Sequence, residues 1–329
     1  MNKVENLNML ASKDYRISFL RFCSMIGIIL CHIFQYYNNG LAWWLNVGVQ
    51  IFLLLSGLLY GGKKIQNSWN FIKKNVIKIV VDYYILLILG IPLFCYFGNI
   101  EFSSIEVLKM FLMLDYPSGW GHLWFIRYIV LCYCITPLLS KINTGDIKIY
   151  ALVIAVVQIL FLPVSIFEGA WINCYVIGYF LGKHNIIRDR RLVDKIGKII
   201  IPLAIFVNGF KIFIDILNID FVGEKYYRQY SHCLLALLIV ILVLKNYNVL
   251  NKILETRYLL LILNYSDKYS YDIYLVHQLF ILGPLSIFNR FRGFINIIEG
   301  VVLIVLSSTI LYFLSLMVKR KVLERVCRY

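Results

Sequence analysis

Repeated apolar runs long enough to cross a bilayer are the feature that most constrains this chain. Hydrophobic residues make up 60% of its 329 residues, and only 16% are charged. A soluble domain cannot bury that much apolar surface, whereas apolar helices of about 20 residues suit the hydrocarbon core of a membrane. We therefore predict an all-α fold, a polytopic integral membrane helical bundle.

The hydropathy pattern predicts about ten transmembrane helices. Segments 101–114 and 250–263 are predicted to be interfacial or re-entrant helices instead. Without a Pro/Ser-rich linker or an internal repeat, we expect a single membrane domain over 1–329, with no cleaved leader because residues 1–15 are too polar for one. The predicted spans are 16–36, 44–60, 76–97, 122–140, 148–166, 170–182, 198–217, 231–247, 271–288 and 294–318.

The distribution of Lys and Arg predicts the orientation of the bundle. The net charge is +15, and basic residues concentrate on cytoplasmic loops of membrane proteins. If the N terminus is inside, most basic residues fall on inner segments, including the cytoplasmic N-terminal segment 1–15 and the cytoplasmic tail 319–329. The basic balance therefore reflects topology and contact with membrane lipids, and no nucleic acid is expected as a partner. The predicted outer loops hold Lys109, Lys225, Arg228, Arg290 and Arg292.

The first span carries two ionisable residues, Arg21 and His32. Eleven positions separate them, so they lie only about 20° apart around a helix and about 16 Å apart along its axis. Ionisable groups inside a membrane span usually face the protein interior and mark function. A bland alternative stays open, in which His32 is an interfacial hydrogen-bonding group and Arg21 extends to the surface.

The eight cysteines are scattered, mostly within apolar runs. No CxxC pair occurs, and the spacing of Cys and His residues does not match that of metal ligands. We expect the cysteines to be buried thiols that act as small hydrophobic groups. No metal site is predicted.

Four motifs occur in register in four of the predicted spans. Leu20 and Arg21 precede His32 by the spacing Arg-x10-His, and the second span contains GVQIFLLLSG at 48–57. The fourth span opens with HLWFIRY at His122, and the ninth contains YSYDIYLVHQ at 269–278. Together they resemble the membrane acyltransferase-3 family, with its LR-x10-H span, G-V-x-x-F-F-x-x-S-G span, H-L-W-F opening and S-Y-x-x-Y-L-x-H helix. The resemblance covers nearly the whole chain.

The resemblance implies an O-acyltransferase, and specifically an O-acetyltransferase, of the bacterial cytoplasmic membrane. Such an enzyme moves an acyl group from acyl-CoA (acetyl-CoA), a co-substrate rather than a permanently bound cofactor, to a carbohydrate or glycolipid acceptor. Carried over by position, His32 is the general base or a transient acyl carrier, and Arg21 orients the donor. Homo-oligomer formation is left open. The family positions that shape the surrounding pore are Ser56, His122, Trp124, Tyr274 and His277.

Three lysines before the third span, Lys73, Lys74 and Lys78, are candidates for the donor's phosphates. Lys74 and Lys78 lie one helical turn apart. Positive-inside anchoring is the alternative for this group.

Bland alternatives also apply to the pore positions. Ser56 and the glycine after it can serve only as a small-residue contact between helices. His122 and Trp124 lie where an outer aromatic belt would be. Tyr274 and His277 lie deeper in a span, where a buried histidine is costly enough to favour function.

The chain departs from the family pattern next to Arg21. The family often has an acidic residue three positions earlier, where this chain has Ser18. Either Asp14 compensates, or Arg21 is held in another way.

Other function classes compete with the acyltransferase hypothesis. Intramembrane His and Arg also suit a transporter or exporter of glycan intermediates, although the chain shows no duplicated halves. A membrane sensor or scaffold that kept the fold is a third hypothesis. For Lys211, Asp215 and Glu224, structural pairing is favoured over acceptor binding.

Overall fold

The computed structural model describes residues 14–142, 145–161, 166–217, 219, 223–246, 254, 256–289 and 294–326. Regular structure within these residues is helical and includes no strand, so the all-α prediction is confirmed. Two short 3₁₀ turns, Gly121–Leu123 and Ile287–Asn289, accompany the α-helices. The helices are α1 Tyr15–Tyr36, α2 Leu41–Leu45, α3 Val47–Gly61, α4 Ser68–Gly98, α5 Ser104–Phe111, α6 Trp124–Ser140, α7 Ile147–Phe161, α8 Ile166–Lys183, α9 Arg190–Ile216, α10 Glu224–Lys245, α11 Arg257–Ile281 and α12 Phe294–Val326.

Seven of the described helical segments are long and apolar enough to cross a membrane. They comprise α1, α2 with α3, α4, α6 with its leading turn, α9, α10 and α12. Helices α7, α8 and α11 lie at three further predicted spans, but they are not among the seven, so the predicted count of ten is not confirmed. α7 has only 15 residues, and α11 carries several charged and polar side chains. The molecule is a polytopic helical membrane protein all the same.

One predicted boundary is wrong. Residues 257–263, predicted as part of a separate interfacial helix, are the first turns of α11, while 250–253 and 255 lie outside the described residues. The predicted bounds left residues 264–270 between this helix and the ninth span. Instead, Ser266 and Asp272 are buried against neighbouring helices, so α11 continues through them. The predicted short helix within 101–114 is present as α5, which begins at a capping box of Ser103 and Glu106.

The terminal segments are described only in part. Residues 1–13 and 327–329 lie outside the described residues. The segment that was predicted as a tail from 319 continues helix α12 as far as Val326.

Helices α3 and α8 make the most extensive contact in the bundle. Each contributes two glycines one turn apart, Gly57 with Gly61 and Gly178 with Gly182. A Cβ atom on Gly57 would lie 2.0 Å from the backbone oxygen of Tyr175, and one on Gly178 would lie 2.1 Å from that of Leu54. Only a residue without Cβ allows two backbones so close, as in other small-residue helix pairs of membrane proteins. The small-residue interpretation of the motif is therefore correct for Gly57.

An ion-pair group joins the end of α9 to the start of α10. The Lys211 ammonium contacts the Asp215 carboxylate one turn away, and it lies 3.7 Å from the Glu224 carboxylate. It also lies 5.5 Å from the centre of the Trp43 ring. The predicted structural pairing of these three charged residues is confirmed.

We expect Gly178→Ala to destabilise the protein by about 1–3 kcal/mol, because the added methyl group forces two backbones apart. Gly209→Ala in α9 is the matched control, since a Cβ atom there meets nothing within 4 Å. Replacing a helical glycine in open space should stabilise by about 0.5–1 kcal/mol. Thermal unfolding of the two purified variants in detergent measures the difference, and equal midpoints would contradict the close contact.

Candidate active site

Helix α1 places Arg21 and His32 against the same neighbour, α11. An Arg21 guanidinium nitrogen lies 3.5 Å from an Asp267 carboxylate oxygen, and His32 Nδ1 lies 3.3 Å from Gln278 Nε2. On both helices the two partners are eleven positions apart and follow in the same order, so α1 and α11 run parallel in matched register. The predicted shared face of Arg21 and His32 is therefore observed. Parallel directions also agree with two helices that both start from the same side of a membrane.

Three histidines from separate elements meet at one end of α1. His32 belongs to α1, His122 to the 3₁₀ turn before α6, and His277 to α11. The His32 ring centre lies 5.1 Å from that of His277 and 6.3 Å from that of His122. The remaining pair, His122 and His277, is 4.7 Å apart. His122 and His277 are buried, whereas His32 is partly exposed.

Gln278 connects two of these histidines. The backbone N–H of His122 donates to Gln278 Oε1 at 2.9 Å, and this contact fixes the orientation of the amide. The same oxygen lies 2.6 Å from His122 Nδ1, while the amide nitrogen points to His32. The Tyr274 hydroxyl donates to the backbone oxygen of His122 and ties the 3₁₀ turn to α11. The position of His122 is thus set by hydrogen bonds to α11.

The contacts of the imidazoles favour particular tautomers. His277 Nδ1 lies 2.6 Å from the backbone oxygen of Tyr274 and must donate to it, which leaves Nε2 as a lone-pair acceptor. That Nε2 is buried and has no hydrogen-bond partner within the described residues. His32 Nδ1 lies 2.7 Å from Gln35 Oε1 and 3.3 Å from the Gln278 amide nitrogen, which is a donor, so a protonated Nδ1 hydrogen-bonds to Gln35 and not to Gln278. A proton on His32 Nδ1 that is donated to Gln35 leaves Nε2 free to accept a proton from a substrate.

A cavity of about 600 Å³ opens beside the histidines. Trp124 and Trp171 stack in its wall with ring centres 3.9 Å apart. Glu168 also lines it and lies 3.5 Å from the Arg127 guanidinium. The chemistry is that of a site for a polar ligand with an apolar face, since aromatic and amide groups share the lining. The lining residues with polar or aromatic side chains are His32, Gln35, Asn46, His122, Trp124, Glu168, Trp171, Arg228, Gln229, Tyr274 and Gln278.

Arg21 is not part of this cavity. It lies toward the opposite end of α1, and its carboxylate partner, Asp267, also accepts a hydrogen bond of 2.5 Å from the Ser18 hydroxyl. Ser18 occupies the position where the family often has an acid. Its hydroxyl binds Asp267, an acid on α11, which in turn contacts Arg21. Asp14 does not compensate, because its carboxylate caps α1 and pairs with Arg16 at 2.6 Å. Arg21 is held in another way, from α11.

A cationic group surrounds the Arg21 end of the helix. Lys74 and Lys78 are exposed on α4, and Lys63 lies in the loop after α3. Partial desolvation lowers the pKa of Lys63, and the positive charges of Arg21 and Lys74 lower it further. These cations are therefore close enough to repel one another, and a bound anion would relieve that repulsion. Ser56 is half-buried on α3, and it does not line the cavity.

The comparison with family models identifies the fold and its general chemistry. A model described as an acyltransferase domain, that of the acyltransferase-3 family, matches residues 14–317. The chain belongs to the acyltransferase-3 family. No curated protein and no solved structure matches it. Membership makes the chain a membrane acyltransferase and does not favour the transporter hypothesis.

Several residues that line the cavity of this acyltransferase were not predicted from the sequence motifs. Gln278 directly follows His277 in the quoted ninth-span motif, and Gln35 lies one turn after His32, so spacing alone could have found both. Glu168 is a lone acid within an apolar segment, which is a signal for function in a membrane protein. Trp171, Arg228 and Gln229 give no comparable signal, because nothing in their spacing links them to α1.

We expect Gln278→Leu to lower the free energy of unfolding by about 1–3 kcal/mol. The change leaves the buried backbone N–H and ring of His122 without their acceptor. Gln35→Leu is the matched control, since Gln35 is exposed and surface substitutions usually change stability by about 0.5 kcal/mol or less. Unfolding of both variants in a denaturant titration tests this, and equal losses would contradict the bridging role of Gln278.

Proposed function

We propose that the protein is a membrane O-acetyltransferase of the bacterial cytoplasmic membrane. It would move an acyl group from cytoplasmic acyl-CoA to a hydroxyl of a cell-surface or lipid-linked glycan. The observation that carries the proposal is His32, whose Nδ1 is bonded to Gln35 while its ring faces a cavity that can hold a sugar. Membership of an acyltransferase family supplies the reaction type.

His32 acts as general base in the proposed reaction. Nε2 takes the proton of the acceptor hydroxyl as its oxygen attacks the thioester carbonyl carbon, which forms the new C–O ester bond. The C–S bond breaks, and the proton passes to the departing sulfur, so that free CoA and the ester are the products. A neutral imidazole suits this transfer near neutral pH. Gln278 holds His122 beside His32, and neither of the two takes part in the proton transfer.

The cavity lining supports a carbohydrate as the acceptor. The stacked Trp124 and Trp171 present a flat apolar surface for the C–H face of a sugar ring. The amides of Gln35, Asn46 and Gln229 can exchange hydrogen bonds with hydroxyl groups.

The cationic group at the other end of α1 supports binding of the donor there. Arg21, Lys63, Lys74 and Lys78 would bind the phosphates of acyl-CoA, and the concentration of basic residues predicts that this end faces the cytoplasm. The acyl group would then travel toward His32. About 16 Å of helix separates the two residues.

His32→Ala should abolish transfer of radiolabelled acetyl from acetyl-CoA to membrane glycolipid, with a loss of about 10²- to 10⁴-fold. The control is His184→Ala, because His184 is exposed and lies away from the cavity. It should transfer acetyl normally. Both variants are compared as folded, membrane-inserted protein. Retained transfer in His32→Ala would exclude the general base, and flux of a glycan intermediate without transfer would favour a transporter.

Removing two exposed cations, with Lys74→Ala and Lys78→Ala together, should raise KM for acetyl-CoA about two- to tenfold while kcat stays similar. Lys148→Ala on α7 is the control, because Lys148 is an exposed lysine that no proposed site uses. The expected split reflects loss of binding that the ground and transition states share. An unchanged KM would contradict donor binding by these lysines and would favour the alternative, in which they anchor the helix on the cytoplasmic side of the membrane.

Arg21→Lys tests whether the donor needs a planar, bidentate contact. The substitution keeps the charge and loses the guanidinium geometry, so we expect activity to fall clearly. Near-normal kcat/KM for acetyl-CoA would show that the positive charge at this position is sufficient and that the bidentate geometry of Arg21 is not needed.

A further inference from the structure

Arg228 differs from five other cations of the helical bundle. Arg16, Arg21, Arg127 and Lys319 each pair with a carboxylate, as does Lys211. Arg228 lies in the second turn of α10, and within the described residues it has no ion pair, while its buried Nε has no hydrogen-bond partner. A charge inside a membrane bundle is costly unless it is paired. Within the described residues, Arg228 is therefore a cation without a counter-ion.

The cavity beside Arg228 has one carboxylate among its described lining residues, and that carboxylate pairs with another cation. Glu168 is the acidic residue among its lining side chains, and its carboxylate already lies 3.5 Å from Arg127. Gln229, which is buried next to Arg228, and the amide of Asn46 also line the cavity and carry no charge. The Arg228 guanidinium is therefore the cation on the wall that α10 forms, and the carboxylate of the same lining pairs with Arg127.

The surroundings of Arg228 hold further polar groups without partners. His232 lies one turn later on α10 and is fully buried, and its ring nitrogens make no well-aligned hydrogen bond within the described residues, although the Trp43 backbone lies near the ring. Its ring packs against Trp43 with centres 4.4 Å apart. Gln50 is buried as well, and its amide nitrogen contacts Gln229 Oε1 at 3.5 Å while its own Oε1 has no partner there. Unpaired polar groups around an unpaired cation are typical of a binding site without its ligand.

We propose that the acceptor of this acyltransferase is an anionic carbohydrate, and that Arg228 binds its carboxylate or phosphate group. The inference rests on the proposed function, and it narrows the class of acceptor. A guanidinium binds either anion with two parallel hydrogen bonds. A sugar held this way at Arg228 lies in the same cavity as His32, so one of its hydroxyls can reach the base.

The position of Arg228 assigns the anion to the acceptor rather than to the donor. Arg228 shares the cavity with His32, whereas Arg21 and the lysines near it lie at the opposite end of α1. The distribution of basic residues predicts that Arg228 faces the outer side. The donor's phosphates have their own cations and do not need this one.

Binding of three small probes to the purified full-length protein in detergent tests the proposal. Methyl glucuronide and glucose 1-phosphate carry the two anions, and methyl glucoside is the neutral match. We expect the anionic probes to bind about tenfold more tightly or better than the glucoside, as loss of a charge-assisted hydrogen bond predicts. Binding of only one anionic probe also supports the proposal, and it identifies carboxylate or phosphate as the group recognised.

Variants identify the residue responsible. Arg228→Gln should lose the preference for anions, and Arg228→Lys should keep part of it. Arg320→Gln removes an exposed arginine from the end of α12 and should keep all of it. Binding of acetyl-CoA by each variant shows that it is folded. A glucoside that binds as well as the glucuronide would overturn the proposal, as would failure of both anions to bind, a preference that survives in Arg228→Gln, or displacement of the anions by acetyl-CoA.

Failure of this proposal can be told apart from failure of the proposed function. If acetyl transfer depends on His32 while anionic and neutral probes bind alike, the acetyltransferase stands and the acceptor is not anionic. If anions bind through Arg228 while His32→Ala still transfers acetyl, the anion site stands and the general base is wrong.

Discussion

The arrangement of polar groups in this bundle depends on one constraint: a polar or charged side chain inside apolar helices is costly unless it has a partner. Water is not available there to replace a missing partner. Asp82 on α4 accordingly meets Lys319 on α12 at 2.5 Å, and the Ser18 hydroxyl meets Asp267. Each such contact fixes one helix against another. The polar side chains thus do much of the positioning that the apolar surfaces cannot do alone.

Helix α11 shows what this constraint does to a sequence. It packs against α1, α4 and α12, and its buried side chains include Asp272, His277 and Gln278. From Tyr269 to Ile281 most of its side chains are buried against other helices, so this half of α11 does not need an apolar surface toward lipid. It can therefore carry polar residues. Because α11 carries polar side chains, it can place Asp267 beside Arg21 and Gln278 beside His32.

The sequence predicts the fold class and much of the candidate site for physical reasons. Apolar length indicates membrane helices, and the eleven-residue spacing of Arg21 and His32 puts them on one face. The partners across helices could not be predicted, because helical periodicity specifies a face and not the helix that it meets. Asp267 is therefore absent from the sequence argument. The sequence placed Arg228 only in an outer loop. The distribution of Lys and Arg predicts on which side of the membrane a residue lies, but it does not predict whether the residue lines a cavity.

The separation of charge along α1 bears on how the proposed reaction could proceed. Between Arg21 and His32, the residues Ser24, Met25, Ile28 and Cys31 are buried, and Ser24 is the polar one among them. Phosphate groups cannot enter such an environment at acceptable cost, whereas an uncharged thioester arm can. The nucleotide would therefore stay among the cations at Arg21 while the thioester extends toward His32. On this view the apolar middle of α1 is a functional part of the enzyme, because it admits the acyl group and excludes the charges that carry it.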